Sequence, residues 1–124
     1  MATMKKIAVI EDDKFLRKVY ESKLPKEGFE VVSAGDGKSG LELIKKEKPD
    51  LVLLDLIMPV MTGFEVLEAL KADSKFKMPK IIVLSNLGQD EDIARSKELG
   101  ATDFLIKSNL SIKEIVEQIR QYLV

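Results

Sequence analysis

Asp50-Leu51-Val52-Leu53-Leu54-Asp55-Leu56-Ile57-Met58-Pro59 reads as a buried strand that ends in a carboxylate. A run of apolar residues without alternation suits a central parallel strand covered on both faces. The C-terminal ends of such strands are where open α/β sheets carry their chemistry. Asp55 is therefore placed at a crevice. A lone aspartate there serves equally well to begin the next turn, so the reading depends on what the other strand ends carry.

Working outward, apolar runs at 7–10, 29–33, 81–84 and 103–106 join 51–54 as five candidate strands, and each is followed by a helical pattern. The last helix is the clearest, with Ile112, Ile115, Val116, Ile119 and Leu123 on one stripe and Ser111-Ile112-Lys113-Glu114 as a capping box. Its other face, Lys113, Glu117, Gln118 and Arg120, reads as solvated surface. The first helix carries Leu16, Val19, Tyr20 and Leu24, and Pro25 and Gly28 are expected to end it. The third carries Val66, Leu67 and Leu70. The fourth, 90–99, offers only Ile93, Ala94 and Leu99 before Gly100, so it is expected to be thinly anchored and cheap to shift.

Strands alternating with helices at this spacing predict an α/β chain, (βα)5, with a doubly wound five-stranded parallel sheet in the order 2-1-3-4-5, flavodoxin-like. One domain is expected over residues 1–124. The first and third strands are then neighbours, with the switch point beside the first. The chain stops one residue after the last apolar position of its final helix, so no downstream segment is expected.

Composition narrows the chemistry. Charged residues make up 33% and apolar ones 45% at a net charge of -1, which points to neither disorder nor a polyanion-binding surface; no direct nucleic-acid partner is expected. The chain has no cysteine, which excludes disulfides, thiolate metal sites and a cysteine nucleophile, and the cytoplasm is the expected compartment. The first apolar stretch, Ile7-Ala8-Val9-Ile10, is cut off by Glu11-Asp12-Asp13, so neither a secretion signal nor a membrane span is expected. There is no histidine either, which removes the commonest general base. Carboxylates, lysines and hydroxyls are left to carry the chemistry.

The proposed strand order brings Glu11 and Asp12 beside Asp55. Three converging carboxylates raise one another's pKa, and a hard divalent cation relieves that repulsion; Mg²⁺ is the natural candidate, taking carboxylates, a backbone carbonyl and waters. Taken alone, Glu11-Asp12-Asp13 would be a helix-capping cluster, and Asp13 is expected to serve that way. Ser85 ends the fourth strand with a hydroxyl and Lys107 the fifth with an ammonium. Three carboxylates, a divalent cation and one lysine make a neutral pocket with metal positions left open for a phosphoryl group.

On these residues the chain resembles, over nearly its whole length, the response-regulator receiver domain of two-component signalling, in its single-domain, chemotaxis-regulator-like form. The matching pieces are Ile7 to Asp13, Ala34-Gly35-Asp36-Gly37, Pro49 to Pro59, Gly63-Phe64-Glu65-Val66-Leu67, Ile82-Val83-Leu84-Ser85 and Gly100 to Lys107. The resemblance implies that Asp55 accepts a phosphoryl group from the phosphohistidine of a sensor histidine kinase or histidine phosphotransfer protein, or from a small phosphodonor. It implies Mg²⁺ held by Asp12, Asp55 and the Ile57 carbonyl, and by Glu11 through water, with Ser85 and Lys107 on the phosphoryl oxygens. It further implies that Ser85 and Phe104 act as the switch. That switch biases a face made by the fourth helix, fifth strand and fifth helix, which meets a downstream protein or a second copy of the chain. Such a domain catalyses its own phosphorylation and slow self-dephosphorylation but turns over no external substrate.

The departures from the family pattern are specific. Ser108 follows Lys107 where the family usually has proline after a cis peptide, and a cis Lys-Ser bond would cost about 3 kcal/mol. Asn86 stands where alanine or glycine is preferred, and could either narrow access to Asp55 or hydrogen-bond the phosphoryl group. Phe104 replaces a frequent tyrosine. Ile57 and Leu87, two residues after Asp55 and Ser85, cannot orient a water, so slow loss of the phosphoryl group is expected. Among other classes, a haloacid-dehalogenase-type phosphatase needs a second acid at the place of Ile57, and a flavodoxin-like cofactor binder would have its phosphate repelled by Glu11-Asp12-Asp13. The remaining alternative is a receiver-like interaction module that works without phosphorylation.

Overall fold

In the computed structural model, which describes residues 4–123, five parallel strands form one sheet in the order β2-β1-β3-β4-β5. The elements run β1 Lys6–Ile10, α1 Lys14–Lys26, β2 Glu30–Ala34, α2 Gly37–Glu47, β3 Leu51–Leu54, α3 Gly63–Ala72, β4 Lys80–Ser85, α4 Asp90–Glu98, β5 Asp103–Ile106 and α5 Ile112–Tyr122, with a 3₁₀ turn at Lys107–Asn109. Strand order and fold class are those the sequence predicted.

Alternation along the buried strands sorts the core into two layers. Ala8, Ile10, Val52, Leu54, Ile81 and Val83 face α2 and α3, where Ile44, Val66, Leu67 and Leu70 meet them. Ile7, Val9, Leu51, Leu53, Ile82 and Leu84 face α1 and α5, where Tyr20, Leu24, Ile115, Val116 and Ile119 meet them. Each valine, leucine or isoleucine among them, fully buried, contributes roughly 1.5–3 kcal/mol, so β3 is fixed from both faces. Among the described residues no helix is long and apolar enough to cross a membrane.

Four details differ from expectation. β2 runs Glu30–Ala34 rather than 29–33: Ala34 pairs with Ile10 at one end, and at the other the Phe29 N–H donates to the Leu24 carbonyl at 3.2 Å and closes α1 instead of joining the ladder. β1 and β4 are longer than their apolar runs, reaching back to Lys6 and Lys80, and β4 extends on to Ser85. Pro25 does not end α1 but lies inside its last turn. The missing N–H costs one bond near an exposed helix end, and Gly28, at φ +94, makes the actual break. Finally, Ala94 is exposed and Ser96 is the buried residue of α4. The inward line runs 93–96–99, and Ala94 lies about 100° off Ile93 around the helix.

Candidate functional site

The site is built by continuing the ladders past the strands. The Glu11 N–H donates to the Ala34 carbonyl at 3.1 Å and the Asp55 N–H to the Ile10 carbonyl at 3.1 Å. With Ile10 paired to Leu54, Glu11 and Asp55 emerge side by side at the C-terminal edge of β1 and β3. Gly63 keeps the start of α3 close to that edge. A Cβ there would lie 2.2 Å from the Asp55 carbonyl oxygen, so any other residue would push α3 off the backbone of Asp55.

Carboxylate oxygens of Glu11, Asp12 and Asp55 lie within 4.8 Å of one another. Glu11 is 3% exposed and Asp55 6%, while Asp12 is open to solvent. Lys107, the first residue after β5, binds both buried acids: its Nζ is 2.5 Å from Glu11 Oε1 and 3.1 Å from Asp55 Oδ2. Asp55 Oδ1 accepts the Leu56 N–H at 2.8 Å and, at 3.4 Å, that of Ile57. Asp13 caps α1 by accepting from Leu16 N–H at 3.1 Å, and its own N–H donates to Glu11 Oε2 at 3.1 Å.

The electrostatics follow from burial. Burial pushes the Glu11 carboxyl up to about 7; the Lys107 ammonium and the Asp13 N–H hold it down in part, and the Asp55 charge adds to the rise. Burial pulls Lys107 down, but Glu11 and Asp55 more than offset it, so its pKa is raised and it stays charged. Two buried acids and an exposed third against one lysine leave an excess of negative charge. All the donors are hard oxygens, the set that suits a small divalent cation.

Ser85 is buried at the end of β4, paired in register with Ile106 immediately before Lys107. Its Oγ accepts the Leu87 N–H at 3.2 Å, so the hydroxyl is folded onto its own loop. Phe104 is half-buried, packed against the α2/α3 core layer and paired with Val83. The Lys107–Ser108 peptide is trans, and Lys107 still reaches Asp55. Asn86 Oδ1 accepts the Ser108 N–H at 3.0 Å, a partner that neither expectation for Asn86 had named. Ile57 is exposed beside the site, whereas Leu87 packs partly into the core layer. The structure thus brings together Glu11, Asp12, Asp55 and Lys107 and leaves Ser85 turned aside.

Exposed apolar residues stand on the segments leaving the carboxylates, where the sequence pattern did not single them out. Phe15 is 79% exposed and Val60 77%. Val60 has φ 72, with the Met61 N–H donating to the Pro59 carbonyl at 2.8 Å, a γ-turn that is strained for a β-branched residue. Phe15 was detectable because it falls outside the apolar stripe of α1. Val19, counted in that stripe, instead lines an outer groove with Phe15 and Lys18.

The profile of the response regulator receiver domain matches residues 7–120. The chain is 37% identical over 123 residues to a probable transcriptional regulator ycf27 of Guillardia theta, covering 99% of this chain and 47% of that protein. It is 39% identical over 118 residues to the one from Porphyridium aerugineum, covering 95% and 48%. The chain spans about half the length of these curated relatives. Among solved structures, chemotaxis response regulator CheY4 of Vibrio cholerae superposes with a TM-score of 0.87 at 30% identity, covering 97% of this chain and 99% of that one. The BeF3-activated N-terminal receiver domain of Klebsiella pneumoniae RstA gives 0.84 at 30%, covering 95% and 97%.

Proposed function

The chain belongs to the response regulator receiver domain family, and from that premise we propose that it is a phosphoryl-accepting switch of two-component signalling with Asp55 as the acceptor. The observation that carries this reading is Lys107 spanning Asp55 and Glu11 across the ends of three strands. An ionised Asp55 needs no general base. One of its carboxylate oxygens attacks phosphorus in line, and the bond from phosphorus to the donor's imidazole nitrogen or acyl oxygen breaks with its electron pair leaving on the donor. Asp55 is left as an acyl phosphate.

Lys107, already within 3.1 Å of Asp55, pairs with one equatorial phosphoryl oxygen. Ser85 turns from the Leu87 amide to donate to another, and Phe104 follows into the space it leaves. Asp12 and Asp55 with the Ile57 carbonyl, and Glu11 through water, would hold Mg²⁺, which when bound neutralises charge on the transferring oxygens. The chain has no histidine, so the phosphohistidine comes from a partner, a sensor histidine kinase or a histidine phosphotransfer protein. The exposed Phe15, Ile57 and Val60 are apolar contacts for such a partner. The output is a changed face of α4, β5 and α5, read by a downstream protein or a second copy of the chain.

Incubation with acetyl phosphate and Mg²⁺, followed by intact-mass measurement, tests the reading: the protein gains about 80 Da, the mass of one phosphoryl group, and Asp55→Asn gains nothing. An adduct that persists in Asp55→Asn overturns the acceptor. The absence of any adduct on the unmodified chain favours the phosphorylation-independent interaction module.

A further inference from the structure

We propose that Asn86 is a positioning residue for phosphoryl transfer: its hydrogen bond to Ser108 joins the loop that carries Ser85 to the turn that carries Lys107, and so fixes Lys107 against Asp55. The inference rests on the phosphoryl-transfer reading above. Asn86 directly follows Ser85, and Ser108 directly follows Lys107. The β4–β5 ladder ends at the Ser85–Ile106 pair. The Ser108 N–H to Asn86 Oδ1 bond, 3.0 Å long and joining residues 22 apart in sequence, acts as one more rung, made by a side chain where the backbone can no longer supply it.

The turn needs that rung. Lys107–Asn109 is a single 3₁₀ turn, and Ile106, at its N-cap, offers no side-chain acceptor. An N–H at the start of such a turn has no partner within it, so Asn86 supplies from β4 the acceptor that the turn's own cap lacks. Fixing Ser108 fixes the main chain from which the Lys107 side chain departs. That matters because Lys107 must hold a long, rotamer-rich chain in one geometry, with Nζ 2.5 Å from Glu11 and 3.1 Å from Asp55. The Ser85 hydroxyl can leave the Leu87 amide by rotating about its own side chain, while the Asn86 bond keeps the Lys107 turn in place. Both partners are required by their chemistry: alanine or glycine at 86 offers no acceptor, and proline at 108 no donor.

Three variants of the full chain separate positioning from access. Asn86→Ala and Asn86→Leu both lose the acceptor but differ in size in opposite directions, whereas Asn86→Asp keeps the acceptor. Three quantities are measured on each: hydrogen exchange of the Ser108 amide, the rate of phosphorylation by acetyl phosphate at saturating Mg²⁺, and Mg²⁺ affinity from a titration with the metal alone. Asn86→Ala and Asn86→Leu are expected to expose the Ser108 amide and slow phosphorylation by about threefold, the scale of one solvent-exposed hydrogen bond, with Mg²⁺ affinity unchanged. Asn86→Asp is expected to recover the amide protection and, at an ionic strength high enough to screen its added charge from the anionic acetyl phosphate, most of the rate. Rates that move in opposite directions with side-chain size would make Asn86 an access gate and overturn the proposal. So would an unchanged rate alongside an exposed Ser108 amide, or a loss of Mg²⁺ affinity as large as the loss of rate. A wild-type chain that takes no phosphoryl group overturns the functional reading and this inference with it, whereas normal wild-type phosphorylation with indifferent variants overturns only the inference.

Discussion

Helices α4 and α5 follow the last two strands of the same sheet, yet they are held by different forces. α5 buries Ile115, Val116 and Ile119 and is capped reciprocally by Ser111 and Glu114; its far end is tied by Arg120 to Glu27 and by the Tyr122 hydroxyl to Asp103. α4 buries only Ser96, whose hydroxyl donates to the Ile93 carbonyl at 2.8 Å, and its N-cap, Gln89, makes no side-chain cap bond. What holds α4 outside is the Arg95–Glu68 ion pair, Arg95 over the Phe64 ring and Lys71 donating to the Glu98 carbonyl. Exposed pairs of that kind are worth about 0–1 kcal/mol, against roughly 1.5–3 kcal/mol for each buried aliphatic side chain of α5. The two helices therefore differ in anchoring: α5 is held firmly by its core, and α4 loosely by surface contacts. The site mirrors this difference. Lys107, at the foot of α5, is committed to Glu11 and Asp55, while Ser85, at the foot of α4, bonds only within its own loop.

The sharpest way to break this contrast is to truncate one aliphatic side chain in each helix. Ile119 is fully buried and Ile93 is half-exposed. Ile119→Ala should cost about 2–5 kcal/mol of unfolding free energy, and Ile93→Ala less than about 1 kcal/mol, as read from urea denaturation midpoints at constant m-value. Equal losses would show that α4 is packed as firmly as α5.

The same contrast explains how much the sequence revealed. The apolar runs announced the strands, their lack of alternation announced a sheet covered on both sides, and Ser111 with Glu114 announced the start of α5, because each of these signals is local. The carboxylates and Lys107 were legible as strand-end residues once the order was in place. The burial of Ser96 instead of Ala94 was hidden, because a nine-residue helix with few apolar residues has no clear stripe to read. The Asn86–Ser108 bond and the γ-turn at Val60 were hidden because they depend on how two loops lie in space, which composition does not encode. Pro25 misled because its cost depends on where in the helix it falls, and near an exposed end that cost is small.

A second prediction concerns the committed side of the site. Burial raises the folded-state pKa of Glu11 from the ordinary glutamate value of 4.5 to about 7. The folded protein therefore binds more protons than the unfolded chain across that window, and stability falls as pH rises through it. Without divalent metal, denaturation midpoints measured from pH 4.5 to 8 should decline, and Glu11→Gln should remove most of the slope. Mg²⁺ should stabilise the protein more at pH 8 than at pH 6, because a bound cation favours the ionised acids. A flat metal-free profile would mean that Lys107 compensates fully for the burial of Glu11.

The smallest effect expected tests whether the loose hold on α4 contributes to the proposed switch. Gln89 has φ -75 and ψ 147, the extended backbone of an N-cap, but its side chain makes no cap bond. Gln89→Ser places a hydroxyl within reach of the N–H groups of Glu91 or Asp92, a change worth about 0.5–1 kcal/mol where an uncapped helix gains a cap. The acidic first turn, Asp90-Glu91-Asp92, already suits the positive end of the helix dipole, so serine adds the hydrogen bond without more charge. The variant should raise the denaturation midpoint slightly, slow amide exchange in α4 but not in α5, and shrink the change in α4 exchange when acetyl phosphate is added. If α4 responds to acetyl phosphate as strongly in Gln89→Ser as in the wild type, its movement is driven through Phe104 and β5 alone, and the weak cap has no part in the switch.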